Sequence, residues 1–361
     1  MSTYPLPVVR RRAEASDTTS LWLQVPSDLV GAFRYRAGQF IAVQAEIGGE
    51  TLVRQYSLSS TPGAEADLRI TVKKVPDGHV SSWLVDRVAE GEVLEVASPR
   101  GVFFKEPDVA HHVLLLAAGS GVAPLLPIAQ ILAASPLGHD INFVYGNRQL
   151  DGIILHDEVD ELAALDNVTV EHVLTRPHDG WNGGCGRIDR AFIQQNFARW
   201  TASTDKPVSA YLCGPEGFMD AAESALMACG LSSADIRRES FDLVLNDDGA
   251  EDDIRIVAET DPGDEGECEA IVAVVGGEEV TVVPEPGESI LSALIRVEAD
   301  VPYSCQEGTC SSCISKLTSG AAEVRPAVRQ TLRDDDLEEG LVLACLARPT
   351  TRRIRIDFDE F

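Results

Sequence analysis

The spacing of four cysteines constrains this chain more than any other feature. Cys305, Cys310 and Cys313 form C-x4-C-x2-C, and Cys345 follows 32 residues later. The surrounding fold must present three thiols from one loop and return a second segment to supply the fourth. That demand suits a 2Fe-2S cluster, which needs four thiolates around two irons. A structural zinc site competes, but zinc sites usually use two separate C-x2-C knuckles, and only one pair here has that spacing. Gly308 and the small hydroxyl residues Thr309, Ser311 and Ser312 let backbone N–H groups approach the sulfurs. The other cysteines, Cys185, Cys213, Cys229 and Cys268, are scattered singly.

The chain has 361 residues, which at roughly 100–200 residues per domain predicts two or three domains. Its 58 acids and 30 bases give a net charge of −28, which repels phosphate backbones and anionic bilayers; neither nucleic acid nor membrane is an expected partner. Met1 to Ser20 contains Arg10, Arg11 and Arg12 with no apolar run behind them, so no secretory segment is expected and the protein reads as cytoplasmic. In that setting eight cysteines argue for metal or redox use over a disulfide framework. Val113 to Ala134 runs 22 residues without a charge, about the length of a membrane span. Gly119, Gly121, Pro124 and Pro127 are expected to break it, and Val113 to Ala118 suits a strand buried on both faces.

From Thr3 to about Lys105 short alternating runs separated by turn residues predict an antiparallel β-barrel or sandwich; Gln39 to Gln44, Leu52 to Leu58 and Leu68 to Val75 are examples. One helix is expected at Val80 to Val88, after the Asp77-Gly78 turn. Beyond Pro107 the rhythm changes. Strands at Val113 to Ala118, Ile141 to Tyr145 and Val208 to Cys213 alternate with helices at Ala123 to Ala134, His156 to Leu165 and Pro215 to Cys229, which predicts a parallel α/β sheet. Asn246 to Gly266 holds nine acids against one base, Arg255, and reads as a solvated linker. After it come a β-hairpin around Gly276-Gly277, a helix at Ser289 to Val297 and a last strand at Arg353 to Phe358. The expected division is a barrel over 1–106, an α/β domain over 107–245, the linker over 246–266 and a small domain over 267–361.

Four further motifs carry weaker signals. Arg54-Gln55-Tyr56-Ser57 offers a cation, an aromatic face and a hydroxyl at a strand end, with Arg54 and Tyr56 on one face and Ser57 on the other. An ordinary exposed strand would read the same way. Gly78-His79-Val80-Ser81-Ser82 opens a helix, where unpaired N–H groups favour a pyrophosphate, although helix capping explains the serines equally well. Gly119-Ser120-Gly121-Val122-Ala123-Pro124 follows a buried strand and starts a helix as a dinucleotide loop does, but Pro124 replaces the last glycine of G-x-G-x-x-G. Cys213-Gly214-Pro215 puts a thiol at the carboxyl edge of the sheet, where ligands bind in open α/β folds; a buried structural cysteine is the alternative.

Taken in order, these motifs and the cysteine set resemble a ferredoxin-NAD(P)+ reductase-type flavoprotein fused to a plant-type ferredoxin. The tail from Gly340 to Pro349 is similar to that of oxygenase reductases such as the phenylacetyl-CoA oxygenase and ketosteroid hydroxylase reductases. The resemblance implies a multidomain protein: an antiparallel β-barrel flavin domain, an α/β parallel-sheet nucleotide domain and an α+β ferredoxin domain of β-grasp type. It implies that Arg54 binds flavin phosphate, Tyr56 packs on the isoalloxazine and Ser57 hydrogen-bonds near its N5. Val80, Ser81 and Ser82 would hold the pyrophosphate. Gly119, Ser120, Gly121 and Pro124 would line the pyridine-nucleotide site, with Cys213, Gly214 and Pro215 near the nicotinamide and Phe241 covering the flavin. Ser57 and Cys213 are thus the expected catalytic residues, and Cys305, Cys310, Cys313 and Cys345 the iron ligands. Pro99-Arg100-Gly101-Val102-Phe103 resembles the P-x-G-x-F of FAD-binding members, which favours FAD over FMN. Arg148 could pair a 2′-phosphate, but no further base lies close by in sequence, so NADH is favoured over NADPH. Gln306, where many plant-type ferredoxins carry Arg, implies a slightly lower cluster potential. The activity implied is electron transfer from NAD(P)H through FAD and the cluster to a terminal oxygenase, Rieske-type, di-iron or P450, by a monomer. A stand-alone reductase of small acceptors and a non-catalytic electron carrier are the alternatives.

Overall fold

Alternation over the first third of the chain becomes six strands in a computed structural model that describes residues 3–202, 204–241, 253–258, 266–303, 308 and 311–360. They are β1 (Tyr4–Ala15), β2 (Thr18–Leu23), β3 (Phe40–Ile47), β4 (Glu50–Ser57), β5 (Leu68–Lys73) and, after helix α1 (His79–Asp86), β6 (Val93–Val96). The order β4-β3-β6-β1-β2-β5 is antiparallel throughout, and a bridge between Leu58 and Ile70 brings the end of β4 onto β5, closing a barrel. Leu21, Leu23, Ile41, Val43, Ile70 and Leu94 fill it. Closure removes the unpaired sheet edges that an open antiparallel sheet would expose.

The second rhythm gives a doubly wound sheet. Its elements are β7 (His112–Ala118), α2 (Val122–Ala134), β8 (Asp140–Asn147), α3 (His156–Leu162), β9 (Val168–Leu174), β10 (Gly184–Cys185), α4 (Arg190–Thr201), β11 (Val208–Cys213), α5 (Glu216–Ala228) and β12 (Ile236–Glu239). The strands are parallel in the order β10-β9-β8-β7-β11-β12. β7 is apolar on both faces because both are covered: Val113, Leu115 and Ala117 pack in one core with α2, and Leu114 and Leu116 in another with α5. The order in which strands are added reverses between β7 and β11, which creates a crevice at their carboxyl ends.

The uncharged stretch differs from its expectation in one respect. Pro124 lies in the first turn of α2, where its missing N–H costs nothing, and Pro127 lies inside the helix without ending it. Pro127 forgoes one i→i−4 bond, but α2 is buried along most of its length and packing holds it. Among the described residues no helix is long and apolar enough to cross a membrane.

Barrel and parallel sheet belong to one compact unit, Thr3–Asp242. Glu158 of α3 ties them, accepting from Arg12 of β1 at 2.5 Å and from the buried Arg69 of β5 at 3.0 Å. Burial alone would raise the Glu158 carboxyl, but these two guanidinium groups hold it below its ordinary value.

The other unit, Leu243–Phe361, contains β13 (Ile254–Val257), β14 (Ala270–Val275), β15 (Glu278–Val282), α6 (Ile290–Arg296), β16 (Ile314–Ser319), β17 (Ala321–Val324), a 3-10 turn (Pro326–Gln330), α7 (Asp334–Glu338), β18 (Leu341–Leu343), β19 (Ala347–Pro349) and β20 (Arg353–Asp357). A mixed sheet β15-β14-β20-β16-β18, with β14 and β20 parallel and Ser289 capping α6, makes the β-grasp. Gly276 and Gly277 turn the hairpin with φ of 60° and 79°, a left-handed pair that glycine adopts freely, and the Asp359 carboxylate accepts from both their N–H groups.

Within the segment expected to be linker, Ile254–Val257 is a strand paired antiparallel with β17. Ile256 and Ala258 are buried there, so the alternating apolar residues outweigh the acids around them.

Candidate functional site

Strand β4 delivers three of the expected residues to its end. Arg54 is exposed, and its Nη1 donates to the neighbouring Val53 carbonyl at 2.7 Å. Tyr56 packs against the barrel core, and burial pushes its phenol up. Ser57 is buried opposite Phe40 of β3. Its hydroxyl donates to Glu239 Oε2 at 2.9 Å, across 182 residues of sequence.

Glu239 is the last residue of β12, in register with Cys213, the last residue of β11, which is in register with Ala117 of β7. The reversal of strand order therefore gathers a hydroxyl from the barrel and a carboxyl and a thiol from the sheet. Removal from water pushes the Glu239 carboxyl up to about 7, although the Ser57 hydrogen bond acts the other way. Burial first, and the Glu239 carboxylate second, hold the Cys213 thiol well above its usual value. The sequence pointed here to the aromatic Phe241 alone and gave no sign of Glu239. A carboxylate two residues before an aromatic is no signal without the fold. Arg238 itself turns to Glu216, Asp220 and Glu223. Phe241 is 46% exposed at the end of this segment.

Glycine makes the crevice narrow. Gly119–Gly121 forms one 3-10 turn between β7 and α2, and Gly119 takes a φ of 56°. A Cβ on Gly121 would stand 2.0 Å from the Cys213 carbonyl oxygen, and one on Gly214 would stand 2.9 Å from Ala118 Cβ. Two loops thus meet at van der Waals distance, and no other residue fits at Gly121. Ser120 lies half-buried between the two glycines, whereas Pro124 is buried one turn into α2. Pro215 stands at the start of α5 and accepts from Phe218 N at 2.9 Å.

At α1, Gly78 occupies the capping position and no side chain caps the helix. Ser81 donates to the Gly78 carbonyl and accepts from Val75 N, each at 3.3 Å, so it braces the turn. Val80 is buried and Ser82 half-buried. The first N–H groups of α1 are left for an anion.

In the β-grasp, Ile314 of β16 pairs with Leu343 of β18, so Cys313, just before β16, and Cys345, just after β18, fall at one end of the sheet. Ala344 N donates to the Cys313 carbonyl at 3.1 Å. Gly308, at φ 85°, lies so close to Leu346 that a Cβ would stand 2.3 Å from Leu346 Cδ1. Its carbonyl accepts from Thr331 Oγ1 at 2.5 Å. Gly308 is therefore pressed against the segment that carries Cys345. Cys305, Cys310 and Gln306 lie outside the described residues.

These surroundings fit the groups that the sequence implies. Cys313 and Cys345 would supply two of the thiolates for a two-iron cluster, the glycine turn at the crevice would face a dinucleotide, and the end of β4 with the start of α1 would offer a ring face and anion donors to a flavin nucleotide. Fold and site together define an oxidoreductase that works between a pyridine nucleotide, a flavin and a two-iron cluster. Family models for an oxidoreductase FAD-binding domain, an oxidoreductase NAD-binding domain and a 2Fe-2S iron-sulfur cluster binding domain match residues 5–104, 115–224 and 273–350. The chain belongs to the family of oxygenase reductase components built from these three domains.

The ferredoxin reductase component of 3-ketosteroid-9-alpha-monooxygenase from Mycolicibacterium smegmatis is 33% identical over 354 residues, covering 96% of this chain and 94% of that one. A component protein of the 1,2-phenylacetyl-CoA epoxidase from Escherichia coli is 29% identical over 372 residues, covering 99% of both. Among solved structures, phthalate dioxygenase reductase shares the fold over 99% of this chain and 98% of its own, with a TM-score of 0.56 and 24% identity.

Proposed function

We propose that the chain is the reductase component of an oxygenase system, passing electrons from NAD(P)H to a terminal oxygenase of Rieske, di-iron or P450 type. When bound, the FAD takes a hydride from NAD(P)H and the 2Fe-2S cluster carries its electrons onward one at a time. The observation that carries this reading is the meeting of Ser57, Glu239 and Cys213 at the crevice between β7 and β11. Ser57 holds its hydroxyl proton toward Glu239 and presents its oxygen at the place assigned to flavin N5. Cys213 backs the nicotinamide, and Gly119, Ser120, Gly121, Pro124, Gly214 and Pro215 shape its cleft. Arg54 pairs flavin phosphate, Tyr56 and Phe241 pack on the ring, and Val80, Ser81 and Ser82 set the helix start that receives the pyrophosphate. Cys305, Cys310, Cys313 and Cys345 hold the irons.

The boundaries proposed are 1–106 for flavin, 107–245 for nucleotide, 246–266 for the connection, apart from its strand β13, and 267–361 for the cluster. A single chain suffices, because Ser57, Glu239 and Cys213 belong to one unit. We place it in the cytoplasm, where thiols stay reduced.

Replacing Ser57 tests the reading. Losing one hydrogen bond worth ~1.5 kcal/mol in the transition state corresponds to ~10-fold in rate. Ser57→Ala is expected to slow flavin reduction in anaerobic stopped flow by about that factor with FAD content unchanged. An unaltered rate would remove Ser57 from the mechanism.

A further inference from the structure

Strands β8, β9 and β10 end side by side at the carboxyl edge of the parallel sheet, and an arginine follows each within two residues: Arg148, Arg176 and Arg187. The backbone fixes their spacing. Arg176 N donates to the Arg148 carbonyl at 2.7 Å, Thr175 N to Asn147 at 3.0 Å and Gly186 N to Leu174 at 2.9 Å, which continues the ladder past the strands. Together with Thr175 and Gly186 the three arginines line one cavity of about 400 Å³. Among the described residues none of the three guanidinium groups pairs with a carboxylate; the nearest acid in sequence, Asp189, is committed to capping α4. A chain with 58 acids and 30 bases thus keeps three uncompensated cations on one hollow. Such an arrangement is costly in mutual repulsion unless an anion joins it.

The cavity's place along the edge identifies the anion. Strand order puts β8, β9 and β10 on one side of the Gly119–Gly121 turn and Cys213 on the other. On the reading that this crevice takes the pyridine nucleotide, a dinucleotide with its nicotinamide at Cys213 and its pyrophosphate at the glycine turn lays its adenosine over β8 to β10. A ribose 2′-hydroxyl is usually met there by an acid, and a 2′-phosphate by arginine. Guanidinium forks match phosphate oxygens in bidentate geometry. We propose that Arg148, Arg176 and Arg187 form a 2′-phosphate site that makes NADPH the preferred donor. The sequence favoured NADH because no second base stands near Arg148 along the chain; Arg176 and Arg187 arrive only through the parallel sheet.

Two readouts on the full FAD- and cluster-containing protein test this. In calorimetry, adenosine 2′,5′-bisphosphate is expected to bind at least ~10-fold more tightly than 5′-AMP, the value of one charge-assisted hydrogen bond. In steady state, kcat/KM for NADPH is expected to exceed that for NADH, and Arg148→Ala, Arg176→Ala and Arg187→Ala each to lower the NADPH-to-NADH ratio by ~10-fold. Equal binding of the two adenosine phosphates, or a ratio untouched by all three substitutions, overturns the site. If neither nucleotide reduces the flavin, the reductase reading falls, and calorimetric discrimination still decides the phosphate site on its own.

Discussion

Glu239 has the most consequential environment of any single side chain in this protein. Its carboxyl is raised from an ordinary 4.5 to about 7 by removal from water, so the fold binds its proton more tightly than the unfolded chain does. The contribution to stability is therefore complete below the unfolded value and declines as pH rises through the window up to about 7. At 1.36 kcal/mol per pKa unit that decline amounts to about 3 kcal/mol. Glu239→Gln should abolish it. All four tryptophans lie within Thr3–Asp242, so tryptophan fluorescence during urea unfolding reports this unit. Wild type should lose stability between pH 4.5 and pH 7.5 relative to the variant, and parallel profiles would contradict the burial of this carboxyl. At the other end of the chain, Cys313→Ser or Cys345→Ser should remove the iron–sulfur absorbance while leaving flavin absorbance, since the two groups belong to different units. Retention of a full-strength cluster in both variants would show that other thiols bind the iron. Single residues of this kind differed in how well the sequence announced them. The cysteine set stands out in the sequence because three of its members sit within nine residues, whereas Glu239 acquires meaning only from Ser57, 182 positions away.

Elements were easiest to read where burial was most complete. The apolar run of β7, the strand β11, the helix α5 and the glycine hairpin between β14 and β15 each carry a pattern that a single partner suffices to explain. α4 does not: only Ile193 and Trp200 are buried among its 12 residues, so its apolar stripe is thin, and its clearest signal is Asp189 accepting from Phe192 N at the helix start. β13 was hidden for the opposite reason, since acids surround the two isoleucines that direct it into a sheet. The short β10, at Gly184–Cys185, has no pattern of its own and exists because β9 offers it an edge. Close approach between elements was also invisible in sequence. The Gly119–Gly121 turn and the end of β11 meet so tightly that Gly121→Ala must push them apart, with a Cβ 2.0 Å from a backbone oxygen. The expected outcome is a rise of at least ~10-fold in the Kd for NAD(P)H, equivalent to about 1.4 kcal/mol. Wild-type affinity in this variant would mean that the nucleotide does not use the crevice between β7 and β11.

At the scale of the whole molecule, the order barrel, doubly wound sheet and β-grasp matches the direction in which electrons have to travel, from a two-electron donor to a one-electron carrier. Flavin and nucleotide surroundings share one unit, tied by Glu158 to Arg12 and Arg69, so the groups that exchange a hydride are set by one packed body. Hydride transfer depends on such positioning, because the reacting atoms must be held close and water kept out. The cluster surroundings form a unit of their own, in keeping with a carrier that needs only electron transfer and no bond making. The net charge of −28 favours a basic docking surface on whatever receives the electrons, with association that weakens as salt rises. The most direct measurement of the central claim is a visible absorption spectrum of the anaerobic protein titrated first with NADPH and then, on a fresh sample, with NADH. The account predicts that flavin and iron–sulfur bands both bleach. Flavin bands that stay oxidised with either nucleotide would contradict it.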